Sequence, residues 1–201
     1  MEPIVYVVDD DDKIRDALSF LLESVGQSAI MFPSGPAFLA QFDPSVPACI
    51  VCDIRMPGMS GLELQQELLA RGYNKPIVFI TGHGDIPMAV EAVKAGAYEF
   101  LTKPFRDQTL LDAINGAIAR DRELCEVAEN SLALAAKKKT LTRREAQVYD
   151  LVISGYTNKA IAEALHLSHR TIEVHRSHMM DKMGAKTLPE LLTLAQLSTG
   201  D

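Results

Sequence analysis

No apolar run in this chain approaches the roughly 20 residues that a membrane-spanning helix needs. The amino terminus also lacks the charged start, apolar stretch and small-residue cleavage pattern of an export signal. A cytoplasmic protein with no membrane partner is expected. Cysteine is scarce: Cys49, Cys52 and Cys125 are the whole complement, an odd number that argues against a disulfide framework. Cys49 and Cys52 form a C-x-x-C pair, but they lie along an apolar run with no further Cys or His at ligand spacing, so small core residues are the expected reading. What the chain has in quantity is apolar side chain, 47% of 201 residues. That suffices for packed cores in one large domain or two ordinary ones.

Charge is unevenly spread. Residues 1–120 carry 9 Lys/Arg against 16 Asp/Glu, whereas residues 121–139 carry 4 of each and residues 140–201 carry 7 of each. The whole net charge of −7 therefore sits in the first part. An acidic, cation-binding module joined to a neutral module with a different partner is implied.

The first part alternates strand and helix patterns. Ile4 to Val8 is a continuously apolar, β-branched run, followed at once by Asp9, Asp10, Asp11 and Asp12. Asp12 is placed to cap a helix bearing Ile14, Leu18, Leu21 and Val25. A cap does not account for four acids at one strand end, and an all-oxygen divalent site suited to Mg²⁺ does. Further strands are expected near Ser28 to Phe32, before Asp53, over Pro76 to Ile80 and over Ala97 to Leu101. Helices are expected near Pro36 to Phe42, Leu62 to Ala70, Pro87 to Ala95 and Leu110 to Ile118. Five strands alternating with five helices predict an α/β fold, a five-stranded doubly wound parallel sheet.

In such sheets the carboxyl ends of the strands form the ligand edge. That edge should gather Asp9 and Asp10, then Asp53, then Thr81, then Lys103. Carboxylates, a hydroxyl and an ammonium around a metal are the parts needed to move a phosphoryl group onto a carboxylate. Pro57, Gly58 and Gly61 mark the turn into which Asp53 emerges.

These stretches, Val7-Val-Asp-Asp10, Asp53-Ile-Arg-Met-Pro-Gly-Met-Ser-Gly61, Ile80-Thr-Gly-His83 and Phe100-Leu-Thr-Lys-Pro-Phe105, resemble the receiver domain of bacterial two-component response regulators, a flavodoxin-like fold. The resemblance implies that Asp53 accepts phosphate from a sensor histidine kinase. It implies that Asp10, Asp53 and the Arg55 backbone carbonyl ligate Mg²⁺ (or Mn²⁺), with Asp9 assisting through water, and that Thr81 and Lys103 bind phosphoryl oxygens. Asp11 and Asp12 have no metal role in that pattern. Lys103-Pro104 resembles a position where the family uses a cis peptide, which proline makes accessible. A phosphoryl group adds about two negative charges, and in the family Thr81 responds to it and Phe100 follows. Ile86, Met88, Val90 and Val93 are more apolar than an exposed helix requires, and Ile86, Val90 and Val93 are expected to form a dimer face.

Residues 121–139 are expected to form a helical linker, since no Pro or Gly interrupts them, ending in the solvated run Lys137 to Lys139. Residues 140–201 read as helical throughout. Thr142 can cap a helix through Gly155, Thr157 caps Asn158 to Leu165, Ser168 caps His169 to Met183, and Leu188 to Leu197 forms a final amphipathic helix. Short helices separated by His166-Leu-Ser168 are a helix-turn-helix signal. With residues spaced about 100° around a helix, Ile172, Met179 and Met183 share one face. Arg170, Glu173, Val174 and Ser177 take the opposite face, free to enter a major groove.

Leu141-Thr-Arg-Arg-Glu145, Gly155, Asn158-Lys-Ala-Ile-Ala162 and Ser168-His-Arg-Thr-Ile-Glu-Val-His-Arg176 resemble the LuxR-type DNA-binding domain. With the receiver they resemble the FixJ type of transcriptional regulator along nearly the whole chain. The resemblance implies base contacts from Glu173, Val174 and Ser177 and phosphate contacts from Lys159, Thr171 and Arg176. His166, His169, His175 and His178 lack the spacing of a metal site.

The leading expectation is a transcription factor switched by phosphorylation. It dimerises, binds double-stranded promoter DNA and activates transcription with RNA polymerase, and it is no enzyme beyond Mg²⁺-dependent self-phosphorylation and autodephosphorylation. An aspartyl-phosphate phosphatase would need a D-x-D-x-T loop, which Asp9-Asp-Asp-Asp-Lys13 does not supply. A phosphate-independent DNA binder with a vestigial receiver is at odds with the complete acid, Thr and Lys set.

Overall fold

A computed structural model describes residues 2–82 and 86–196, with the side chains of Ile86, Pro87 and Ala89 excepted. The chain divides into two compact units, Met1–Glu123 and Leu124–Asp201.

The first unit is built on five strands, β1 (Ile4–Val8), β2 (Ala29–Phe32), β3 (Ala48–Asp53), β4 (Ile77–Thr81) and β5 (Glu99–Thr102). All neighbours are parallel, in the order β2-β1-β3-β4-β5. The helices are α1 (Asp12–Ser24), α2 (Gly35–Leu39), α3 (Gly61–Ala70), α4 (Ile86–Lys94) and α5 (Asp107–Lys139). Alternation along the strands sorts the apolar side chains into two layers. Tyr6, Val8, Ile50, Cys52 and Phe79 pack with Phe38, Leu64, Leu68 and Ala92 on one face. Val5, Val7, Cys49, Val51, Val78 and Ile80 pack with Leu18, Leu22, Leu110, Ile114 and Ile118 on the other. Both faces being covered explains why these strands read as unbroken apolar runs. Cys49 and Cys52 are fully buried free thiols on opposite faces of β3.

Local chemistry moves several boundaries. Asp11, not Asp12, caps α1: its backbone is extended and its carboxylate accepts from the Lys13 N–H at 2.9 Å. Asp12 is the first helical residue and pairs instead with Arg15. Strand β5 starts at Glu99 rather than Ala97, because the Ala97 N–H is spent closing α4 on the Ala92 carbonyl. Helix α2 ends at Leu39, short of Phe42. Helix α5 runs 33 residues without interruption, joining the expected last helix of the sheet to the expected linker.

The second unit packs α6 (Arg143–Ile153), α7 (Asn158–Leu165), α8 (His169–Met183) and α9 (Leu188–Gln196). Its core gathers Leu134, Val148, Tyr149, Val152, Ile161, Ile172, Met179, Met183 and Leu191. Thr142, Thr157 and Ser168 cap the first three of these helices as their spacing predicts. His166 takes the left-handed conformation (φ 53°) where α7 stops, the only non-glycine among the described residues to do so. It turns the chain within three residues so that α7 and α8 form a helix-turn-helix.

Candidate functional site

The site lies at the carboxyl ends of the neighbouring strands β1 and β3, where the chain leaves β1 for β2 on one side and β3 for β4 on the other. Parallel registers align Val8 with Cys52, Asp53 with Ile80, and Thr81 with Thr102. Asp9, Asp53, Thr81 and Lys103 therefore emerge on one edge, as expected of a switch point in an open parallel sheet.

Lys103 is the hub. Its Nζ donates to Asp9 Oδ2 at 3.0 Å and to Asp53 Oδ2 at 3.2 Å. Its backbone N–H donates to the Thr81 carbonyl at 2.6 Å, and the Lys103–Pro104 peptide is cis. Asp9 is wholly buried, and its second oxygen accepts from the Asp11 N–H at 2.9 Å. Asp53 keeps 14% side-chain exposure, and its Oδ1 faces the Arg55 N–H at 3.3 Å. Asp10 is exposed at the rim, and Thr81 is buried. Glycine is required at position 61, where a Cβ would stand 2.5 Å from the Asp53 carbonyl oxygen.

Burial raises the Asp53 pKa, reinforced by the charge of Asp9, while Lys103 opposes the shift. Burial lowers the Lys103 pKa, but the Asp9 hydrogen bond and the charge of Asp53 outweigh it and leave the ammonium more basic than usual. Burial also drives the Cys52 thiol far up, removing it as a competing nucleophile.

Asp9, Asp10 and Asp53 each offer a carboxylate oxygen within 4.8 Å of the others, the one such group of potential metal ligands among the described residues. Lys103 pairs with Asp9 and Asp53, and Asp10 adds a third carboxylate at the exposed rim. That hard, all-oxygen donor set fits Mg²⁺. The histidines of the second unit form no comparable group among the described residues.

Arg15 is a site neighbour that sequence reasoning missed. Its guanidinium donates to the Asp9 carbonyl oxygen and to the Asp12 carboxylate. The i,i+3 spacing from Asp12 signals the second contact; nothing local signals the first.

Phe100 is half-buried on β5 and packs against the first core layer, on the strand next to Thr81. On α4, Val90 and Val93 are exposed at 48% and 57%, while the side chain of Ile86 lies outside the described residues.

In the second unit α8 buries Ile172, Met179 and Met183. His169, Arg170, Glu173, Val174 and Ser177 line an open concave surface, with Val174 49% exposed. Lys159 is exposed, and Thr171 is half-buried with its N–H on the Ser168 hydroxyl at 3.1 Å. Arg176 reaches back to Asn158 Oδ1 at 2.7 Å, tying the two helices of the motif together. Glu145 completes a capping box with Thr142, and Lys182 donates to it at 2.6 Å across 37 residues. That hydrogen bond, with the cap N–H, holds the Glu145 carboxyl down at about 2.

The response regulator receiver domain model matches residues 5–115, and that of the bacterial regulatory proteins of the luxR family matches residues 139–195. The transcriptional regulatory protein FixJ of Azorhizobium caulinodans is 44% identical over 194 residues, covering 96% of this chain and 92% of its own. Nodulation protein W of Bradyrhizobium diazoefficiens is 45% identical over 193 residues, covering 96% and 85%. The solved structure of the response regulator StyR superposes with a TM-score of 0.87 at 45% identity, covering 98% of this chain and 99% of that one. The strand-end acids and lysine, the helix-turn-helix and these likenesses agree: the chain belongs to the two-component response regulators of the FixJ type, transcription regulators that join a receiver domain to a LuxR-type DNA-binding domain.

Proposed function

We propose that Asp53 is the phosphoacceptor, and that its modification by a sensor histidine kinase drives receiver dimerisation and sequence-specific promoter binding. The observation that carries this reading is the Lys103 ammonium held between Asp9 and Asp53 at the carboxyl edge of the sheet. An Asp53 oxygen attacks the phosphorus of a phosphohistidine. The new O–P bond forms as the P–N bond breaks, and the electron pair leaves on the imidazole nitrogen. Asp10, Asp53 and the Arg55 carbonyl, with Asp9 in support, would hold Mg²⁺ or Mn²⁺, and the ion would supply the charge that offsets repulsion between carboxylate and phosphoryl group. Lys103 turns from the carboxylates to a phosphoryl oxygen, and the Thr81 hydroxyl donates to another. The same residues support self-phosphorylation from small phosphodonors and slow hydrolysis of the product, with no further enzymatic activity.

Thr81 and Phe100 then reorganise the α4 surface, and Ile86, Val90 and Val93 meet their counterparts in a second copy. Pairing two DNA-binding units raises affinity for two half-sites through effective concentration. Glu173, Val174 and Ser177 read base edges, Lys159, Thr171 and Arg176 hold phosphates, and the bound dimer recruits RNA polymerase as an activator in the cytoplasm. Functionally the chain divides into a receiver at 1–120, a helical connection at 121–139 and the DNA-binding module at 140–201. Asp121 qualifies the first boundary, since it is buried within the receiver unit.

The test is to treat wild type and Asp53→Asn with acetyl phosphate and Mg²⁺, measuring label, sedimentation and capture of duplexes from a randomised pool. Labelled wild type should dimerise and enrich one sequence class, while the variant stays unlabelled and monomeric. Failure of the wild type to take label would sink the switch.

A further inference from the structure

The first unit holds a second ion pair that the chemistry at Asp53 does not use. Lys75 Nζ stands 2.7 Å from Asp121 Oδ2, and the two side chains keep only 7% and 3% of their exposure. The same oxygen accepts from the Ala48 N–H at 2.8 Å, and the same ammonium donates to the Val46 carbonyl at 3.0 Å. Ala48 opens β3 and Lys75 precedes β4, so the pair lies at the amino edge of the sheet, opposite to Asp53.

Stability does not account for it. Desolvating two charges offsets much of their attraction, and an apolar pair of similar volume commonly serves a core as well or better. What the ion pair adds is direction. The Asp121 carboxylate has to meet the Ala48 N–H and the Lys75 ammonium together, which a helix can do at only one rotation and one height. A slip of one residue turns α5 by about 100° and shifts it by about 1.5 Å, carrying the buried Asp121 carboxylate away from both of its donors. Leu110, Ile114, Ala117 and Ile118 seat α5 on the sheet through apolar contacts, and the Tyr98 hydroxyl lies against Gly116, where a Cβ would stand 2.3 Å from it; neither contact ties α5 to a charged partner. Asp121 is also the last buried residue of α5 before the unit ends at Glu123, and the helix continues to Lys139.

We propose that the Lys75–Asp121 pair fixes the register at which α5 leaves the receiver unit. Asp121 is thereby a positioning residue for passing the phosphorylation state toward the DNA-binding unit. The inference rests on the phosphorylation-switch reading above. A helix free to slide on an apolar seat dissipates a change made at the sheet, whereas a helix pinned by Asp121 hands it on.

The test uses the full chain carrying Lys75→Met with Asp121→Leu, and separately Asp121→Asn, which keeps the shape and loses the charge. Four quantities are compared with wild type: the rate of labelling by acetyl phosphate with Mg²⁺, the melting temperature, amide exchange across residues 117–127, and the gain in affinity on phosphorylation for a duplex selected by the wild type. The double variant should label within about twofold of wild type and melt no lower. Its amides at 119–123 should exchange about tenfold faster, and its gain in DNA affinity should fall at least about fivefold. Asp121→Asn should show the same losses, to a smaller extent. Unchanged exchange with a full gain in affinity overturns the proposal, and so does a collapse in the melting temperature of the double variant, which would make the pair a stabiliser. A wild type that takes label without gaining DNA affinity fails the switch reading instead, and the exchange measurement then decides the register claim alone.

Discussion

The two units place their working residues in opposite ways. In the receiver, Lys103 bridges carboxylates 94 and 50 residues away, and the groups are largely withdrawn from water. In the DNA-binding unit the face proposed to read bases belongs to one 15-residue helix and stands open to solvent. Phosphoryl transfer needs charges preorganised in a site that excludes water, which requires several chain segments to converge. Groove reading needs side chains that a large partner can reach, which one capped helix provides.

The sharpest way to break this contrast is at Lys103. Lys103→Met should slow labelling of Asp53 by about 10²- to 10³-fold, read as the initial rate with acetyl phosphate, and should leave DNA binding by the unphosphorylated chain unchanged. Equal damage to both would mean that the chemistry is not confined to the receiver. Next in size is Gly61→Ala. Its Cβ would meet the Asp53 carbonyl and Phe79, and overpacking of this kind costs about 1–3 kcal/mol, visible as a lower urea midpoint together with slower labelling. A lower midpoint with normal labelling would separate the turn's structural role from its role in placing Asp53.

On the other side of the comparison, Glu173→Gln should leave labelling untouched and change the preferred base at one position of a selected duplex. About 1–3 kcal/mol of discrimination is at stake there, and an unchanged selection would remove Glu173 from the reading face. The smallest effect is a pH dependence confined to the second unit. The Glu145 pKa is lowered from 4.5 to about 2, first by the Lys182 hydrogen bond. Its contribution to stability is therefore complete above about 4.5 and is lost as pH falls through about 2. Acid unfolding followed by circular dichroism should lose its dependence over that window in Glu145→Gln. An identical acid profile would show that the Lys182 contact is not maintained in solution.

Much of this was legible in the order of residues. Unbroken apolar runs gave buried strands, the caps Thr142, Thr157 and Ser168 marked helix starts, and the angular spread of α8 gave its two faces, because each signal acts within a few residues. The failures lie where two local signals compete or a distant partner decides. Asp11 and Asp12 are both competent caps, and the Arg15 guanidinium, drawing Asp12 into the first turn, goes with the choice of Asp11. The start of β5 depends on where α4 spends its last hydrogen bond. Asp121 looks like one more charge in a polar stretch until Ala48 and Lys75 are brought to it.

The sequence by itself determined the periods, the caps and the residue types at each strand end, since sterics and hydrogen-bonding reach only a turn or a strand. Tertiary structure alone decided that Lys103 stands between Asp9 and Asp53, that Lys75 meets Asp121, and that Glu145 meets Lys182. Those pairings depend on strand order and helix packing, where buried charges are tolerated only beside the partners that the fold delivers.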